Sequence, residues 1–226
     1  MRPRIPALAW SVVGFGVAAV ALTLLAAIEK APLPGDPPIA RHIQSSGVLD
    51  ALAPTVNSLG DWRWAALLAT LLLTGIAVCG RRQEKRGTLA RIVPFVAVAM
   101  LWPGATLLKE AVQSRRPNGA DGLFVDYFRT DYGFPSGHVY GDVLVYGFIA
   151  VAVVGILPRQ AATVVQTGCV AIIVLAGVAR VSVGAHWPSD ALGGYLWGAA
   201  ALSLVVMIRR FLLDRAGLRG VLRNRR

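Results

Sequence analysis

Six apolar runs constrain this chain more than any other feature, at residues 7–28, 64–80, 88–108, 139–157, 161–179 and 191–208. Each is close to the ~20 residues a helix needs to cross a bilayer core. Backbone in that medium must satisfy its own hydrogen bonds, and a helix does so within the segment. Composition agrees: 55% of residues are hydrophobic and only 15% are charged, too few charges for a soluble domain or a disordered chain. The expected fold is all-α, a polytopic membrane protein of six transmembrane helices in which residues 1–226 form a single integral domain. The first run follows Met1-Arg2-Pro3-Arg4. It is longer than a signal-peptide core and no convincing cleavage site follows, so it reads as a retained helix. Pro94 and Pro103 are expected to kink or locally unwind the third run. Cys79 and Cys169 both fall inside apolar runs and read as small hydrophobes, with no disulfide framework and no metal-ligand spacing.

A net charge of +11 would raise nucleic acid as a partner in a soluble protein. Here it sets orientation, and no nucleic-acid partner is expected. With both termini cytoplasmic, 15 of the 23 Lys and Arg lie inside and 8 outside, while 10 of the 12 acids lie outside. That distribution follows the positive-inside rule. The basic cytoplasmic tail, 209–226, then rests on the anionic inner leaflet. Two outer loops are long, 29–63 and 109–137. The first is proline-rich, and its part from 39 to 59 is expected to form a short interfacial helix. The second carries Phe124, Tyr127, Phe128, Tyr132 and Phe134 among Asp121, Asp126 and Asp131. These aromatics and Trp187 suit a head-group boundary. Function is expected on this outer face, in a multi-pass protein of the plasma membrane whose site faces the periplasm or exterior.

Counting runs also brings four clusters to one side, whichever way the protein is oriented. The third run ends in Lys109, followed by Arg115-Arg116-Pro117. The fourth is preceded by Pro135-Ser136-Gly137-His138, the fifth ends at Arg180, and the sixth is preceded by His186-Trp187-Pro188-Ser189-Asp190. Three cations suit a phosphate, and arginine supplies planar bidentate donors. Ser136 and Gly137 stand at a helix N-terminus, where N–H groups and the dipole favour an anion. Two histidines suit proton transfer or nucleophilic attack at neutral pH. Asp190, four residues past His186, reaches back to the imidazole if a helix starts at Pro188. Each residue alone also has an ordinary structural explanation: a snorkelling cation, an N-cap serine, an interfacial histidine. Those explanations do not account for the gathering of all these types at one set of helix ends. Whether Arg115 or Arg116 faces the ligand stays open on spacing alone. Asp142, four residues past His138 and inside the fourth run, is costly at that depth. It either serves the site through His138 or a cation, or pairs elsewhere in the bundle.

The pattern Lys109-x(6)-Arg116-Pro117, Pro135-Ser136-Gly137-His138 and Arg180-x(5)-His186-x(3)-Asp190 resembles the three-part signature of the type 2 phosphatidic acid phosphatase superfamily. That superfamily includes lipid phosphate phosphatases, undecaprenyl diphosphate phosphatases, glucose-6-phosphatases and soluble vanadium haloperoxidases. The signature region is 109–190, and the six-run layout extends the likeness to nearly the whole chain. The resemblance implies His186 as the nucleophile of a phosphohistidine intermediate and Asp190 as its orienting carboxylate. It implies His138 as the acid that protonates the leaving group and the base for the incoming water. It implies Lys109, Arg116, Ser136, Gly137 and Arg180 as the phosphate-binding set, favouring Arg116 over Arg115. One departure is Ala179, where the third motif usually has serine; this removes a supporting hydroxyl and no catalytic group.

The expected function is a membrane lipid phosphatase acting on a lipid phosphate or diphosphate: polyprenyl diphosphate, phosphatidate, diacylglycerol diphosphate or phosphatidylglycerol phosphate. Its partners are the substrate and the bilayer. No cofactor is expected, and without a carboxylate cluster no metal. A phosphotransferase using the same histidine, and a phospholipid transporter, are the competing readings. The sequence leaves oligomeric state open.

Overall fold

The computed structural model describes residues 7–30, 32–47, 51–60, 85–126, 130–154 and 157–215, with the backbone alone for 85–91. The second apolar run, the inner-side cations Arg2, Arg4, Arg81 and Arg82, the tail beyond Arg215, and the loop aromatics Tyr127 and Phe128 lie outside the described residues. Among the described residues the regular structure is helical. Five of the six runs form helices. Ala7–Glu29 is α1. Lys85–Leu101 and Gly104–Val112 are α4 and α5. Gly137–Ala152 is α6, Arg159–Ser182 is α7 and Pro188–Arg215 is α8. Two short helices, α2 (Asp36–Ser45) and α3 (Ala53–Leu59), fill the first long loop. The single interfacial helix expected over 39–59 is thus two helices, separated at Gly47, whose φ of +61° takes the chain out of the right-handed helical region.

Among the described residues, four segments are long and apolar enough to cross a membrane: Ala7–Glu29, Ile92–Val112, Arg159–Ser182 and Pro188–Arg215. The second of these spans α4 and α5, which are broken at Trp102-Pro103. Pro103 has no N–H to continue the ladder, and it starts a new helix where that donor is not needed. Pro94 sits inside α4 without ending it.

The fourth run is the exception in length and in surroundings. Helix α6 has 16 residues, and every one from Val139 to Phe148 is buried. It lies between α7 and α8, with the α4 side of α8 closing the bundle. Phe95 of α4 meets Phe148 edge-on at 4.8 Å between ring centroids, and Tyr140, Leu144 and Val205 complete that core. Close approach of α6 and α8 depends on small residues. A Cβ on Gly194 would come within 2.8 Å of the Ser136 carbonyl, and one on Gly198 within 2.7 Å of Val143 Cβ. The outer helices are the reverse of α6. Trp10, Val13, Val17, Leu24 and Ile28 of α1 are exposed, as are Val164, Val170 and Val174 of α7. Rows of exposed apolar side chains are unfavourable against water and are what a lipid-facing helix presents.

Candidate active site

Helices α5 and α7 end where α6 and α8 begin, and the two connections between these ends bring their motif residues to one wall. The first starts at Gln113, whose φ of 57° closes α5 in the left-handed region. It turns the chain so that Arg115 and Arg116 point to opposite tasks. Arg115 makes a two-pronged ion pair with Asp121 at 2.7 and 2.8 Å. Its guanidinium lies 5.6 Å over the Trp187 ring, and its carbonyl accepts the indole N–H at 3.1 Å. Arg116 is buried and turned inward. Its Nη1 donates to the Ala185 carbonyl and lies 2.9 Å from His186 Nε2. Arg115 is thus committed to Asp121, while Arg116 is the one turned toward His186.

The second connection, 183–187, carries His186. It folds back on α7, so that the Arg180 carbonyl accepts the amides of both Ala185 and His186. Gly184 makes the reversal, with φ of +67°, and a Cβ there would collide with the Phe124 carbonyl. Only glycine meets both conditions. The turn delivers His186, 1% exposed, next to Asp190 in the first turn of α8. Asp190 Oδ2 is 3.3 Å from His186 Nδ1 and accepts the Trp187 amide at 3.0 Å. Pro188 opens the helix, as the sequence suggested. A guanidinium can only donate, so Nε2 faces Arg116 with its lone pair and the ring proton sits on Nδ1, toward Asp190. Burial lowers the His186 pKa well below its usual value, and the charges of Arg116, Lys109, Arg180 and His138 push the same way. The imidazole is therefore neutral, with its lone-pair nitrogen facing Arg116.

The first connection ends by entering α6 through a cis Phe134–Pro135 bond. Ser136 occupies the N-cap position, fully buried, but its side chain caps nothing. Its Oγ has no partner in the structure, an expensive state for a buried hydroxyl. Helix geometry likewise leaves the first amides of α6, at Gly137 and His138, without intrahelical acceptors. His138 and Asp142 share the face of α6 that meets the end of α3. A Cβ on Gly60 would lie 3.0 Å from Asp142 Oδ2 and 3.3 Å from His138 Cδ2. Arg180 is 3% exposed in the last turn of α7. Ala179 beside it is fully buried and packs on Ala53 and Val56 of α3, so the position of the expected serine is filled by an apolar contact.

Two acids join the cluster that the motifs did not single out. Asp131 Oδ2 lies 3.0 Å from Lys109 Nζ and 2.8 Å from Arg116 Nη2. Asp36 of α2 accepts the Ser189 amide at 2.7 Å and its hydroxyl at 2.6 Å, beside Asp190. Neither carries a spacing signal, because each partner lies far away in sequence or in a loop without period. Lys109, Arg116, Ser136, Gly137, His138, Arg180, His186 and Asp190 all sit on the ends or connections that form this wall. The structure gathers a buried neutral histidine, its carboxylate, three cations and an unpartnered hydroxyl, a set suited to holding and attacking a tetrahedral anion.

Known proteins share both the sequence and the shape. Phosphatidylglycerophosphatase B of Bacillus subtilis (strain 168) is 32% identical over 103 residues, covering 44% of this chain and 48% of the relative. The chain thus matches about half the length of that curated relative. The crystal structure of a transmembrane PAP2-type phosphatidylglycerolphosphate phosphatase from Bacillus subtilis superposes with a TM-score of 0.73. At 22% identity, the match covers 89% of this chain and 97% of that one. The apolar helices and this shared transmembrane fold make the protein an integral membrane protein. The PAP2 superfamily pattern matches residues 64–213, a stretch that contains every motif and most of the helices whose ends carry the site, and by that match the chain belongs to the PAP2 superfamily.

Proposed function

We propose that this chain, as one integral domain over residues 1–226, is a lipid phosphate phosphatase working at the outer face of the membrane. The observation that carries the reading is the neutral, buried His186 with its Nε2 directed at the cations and its Nδ1 at Asp190. Lys109, Arg116, Arg180, the Ser136 hydroxyl and the amides of Gly137 and His138 hold the phosphoryl oxygens. To do so, Arg116 transfers its donor from His186 to the phosphate, which frees Nε2. That nitrogen attacks phosphorus, the bond to the leaving oxygen breaks, and His138 donates a proton to that oxygen. Water then attacks the phosphohistidine as His138 takes its proton, inorganic phosphate leaves, and His186 is restored. Asp190 balances the positive charge on the ring while the bond to phosphorus exists. Uncatalysed phosphate monoester hydrolysis is among the slowest biological reactions, and positioned cations around the transferring group are the main source of its acceleration.

The substrate is a phosphorylated lipid whose head group reaches the helix ends while its chains stay in the bilayer. The names of the relatives favour phosphatidylglycerol phosphate; polyprenyl diphosphate and phosphatidate offer the same chemistry. The proposed reaction uses no metal. Phosphate release from a panel of these lipids by the purified protein in detergent tests the reading, with and without a chelator. Turnover should survive chelation and fall by about 1,000-fold or more in His186→Ala, the scale set by loss of a catalytic nucleophile. Full phosphate release by His186→Ala would sink the mechanism.

A further inference from the structure

Asp131 belongs to no motif and to no step of the proposed chemistry, yet it sits on the clamp. Its Oδ2 accepts from both Lys109 Nζ, at 3.0 Å, and Arg116 Nη2, at 2.8 Å. A single oxygen between an ammonium and a guanidinium occupies the position that a non-bridging phosphoryl oxygen would take. The main chain fixes this placement. The Asp131 carbonyl accepts Arg116 Nε at 3.0 Å, and two residues on, the Gly133 amide donates to the Ser114 carbonyl at 2.8 Å. The partners differ in freedom. The Asp131 side chain is 50% exposed, while those of Lys109 and Arg116 are 12% and 6% exposed. The cations are held inside, while half of the Asp131 side-chain surface faces solvent.

We infer that Asp131 sets the phosphate affinity of the site by competing with the bound anion for Lys109 and Arg116. The carboxylate occupies the clamp when the site is empty, gives way when a phosphate group enters, and returns to favour release of inorganic phosphate. Two anions cannot hold the same two donors, and a carboxylate left beside a bound phosphate dianion repels it. The inference rests on the proposed function only in taking Lys109 and Arg116 as phosphate ligands. It applies equally to a lipid head group and to free phosphate, the substrate and product forms of one chemistry.

The test measures competitive inhibition by inorganic phosphate, and separately KM and kcat for a lipid phosphate, in the full-length protein in detergent. Asp131→Asn keeps the shape of the side chain and the carbonyl bond to Arg116 but removes the charge. It should bind inorganic phosphate about five- to tenfold more tightly, the scale of a half-exposed pair of charge-assisted bonds. KM for the lipid should fall with it. Asp131→Glu, which restores a carboxylate, should return the inhibition constant toward that of the parent. Asp121→Asn removes the same charge from the same loop, where it faces Arg115, and should change phosphate affinity less than twofold. Unchanged or weaker phosphate binding in Asp131→Asn overturns the inference, and so does equal tightening in Asp121→Asn, which would mark a bulk-charge effect. Phosphate inhibition in Lys109→Ala as tight as in the parent would instead overturn the clamp itself, and the proposed function with it.

Discussion

His186 carries the largest burden at the scale of single residues. In the unfolded chain its imidazole takes up a proton below about pH 6.5. In the folded protein burial and four neighbouring cationic or ionisable groups keep it neutral well below that. The unfolded state therefore binds more protons, and stability falls as pH drops below about 6.5. His186→Gln, which never titrates, should lose less stability than the parent between pH 7.5 and pH 5.5. Thermal unfolding in detergent at the two pH values reads this directly, and parallel losses would show that His186 is not held neutral. Asp131 behaves in the opposite sense. Burial works against its charge, but hydrogen bonds from Arg116 and Lys109 outweigh that and hold its pKa at about 2. Its competition with phosphate therefore persists across the neutral range rather than being switched by pH. Residue types and spacing pointed in advance to most of the residues that the structure gathers at this wall, because charged and ionisable groups are rare in so apolar a chain. They did not expose Asp131, since an acid in an irregular loop looks the same whether it faces solvent or a cation 22 residues away.

The helix is the scale at which the site is assembled, and the first turn of α8 is its most constrained piece. Three of its residues act within one turn: Pro188 starts it, Ser189 is gripped from α2, and Asp190 orients His186. The grip is the Asp36 carboxylate, 3% exposed, which accepts from the Ser189 amide, the Ser189 hydroxyl and the Leu33 amide. A carboxylate at a helix N-terminus is favoured by the dipole and by the unsatisfied amides there. Asp36→Ala leaves three donors unmatched in a buried place, at a cost of about 2–4 kcal/mol. It should also lower kcat, because α8 then holds Asp190 less firmly against His186. Asp36→Asn keeps one acceptor oxygen and should fall between. Wild-type kcat in Asp36→Ala would show that α8 is held by its packing on α1 and α6 alone. Helix positions were readable in advance because apolar runs have sharp ends. The union of α2 with α8 was not, since it is a contact over 153 residues with no motif behind it. The fourth run shows a second kind of illegibility. An apolar run reads alike whether lipid or protein covers it, and only the fold reveals that α6 is enclosed on all sides.

At the scale of the whole molecule, the exposed apolar faces of α1 and α7 and the enclosed α6 require a bilayer around the bundle, and the candidate site lies at one end of it. Which side of the membrane that end faces is carried by charge, with 15 of 23 cations assigned to the opposite side. Moving that many cations through an apolar core is far costlier than moving the few at the candidate site, so the proposed orientation places the site outside. Two exposed positions at opposite ends of the bundle report it. Ala120 lies in the turn Gly119–Asp121 of the connection that carries Arg115 and Arg116, and Gln160 lies in the first turn of α7 at the far end. In a background with Cys79 and Cys169 replaced by alanine, Ala120→Cys should react with a membrane-impermeant maleimide in intact cells. Gln160→Cys should react only after the membrane is opened. The reverse pattern would invert the orientation and turn the site to the cytoplasm, where the same chemistry would meet inner-leaflet lipids. Equal labelling of both positions in intact cells would mean that the two ends of α7 do not lie on opposite sides, and would remove α7 from the set of spanning helices.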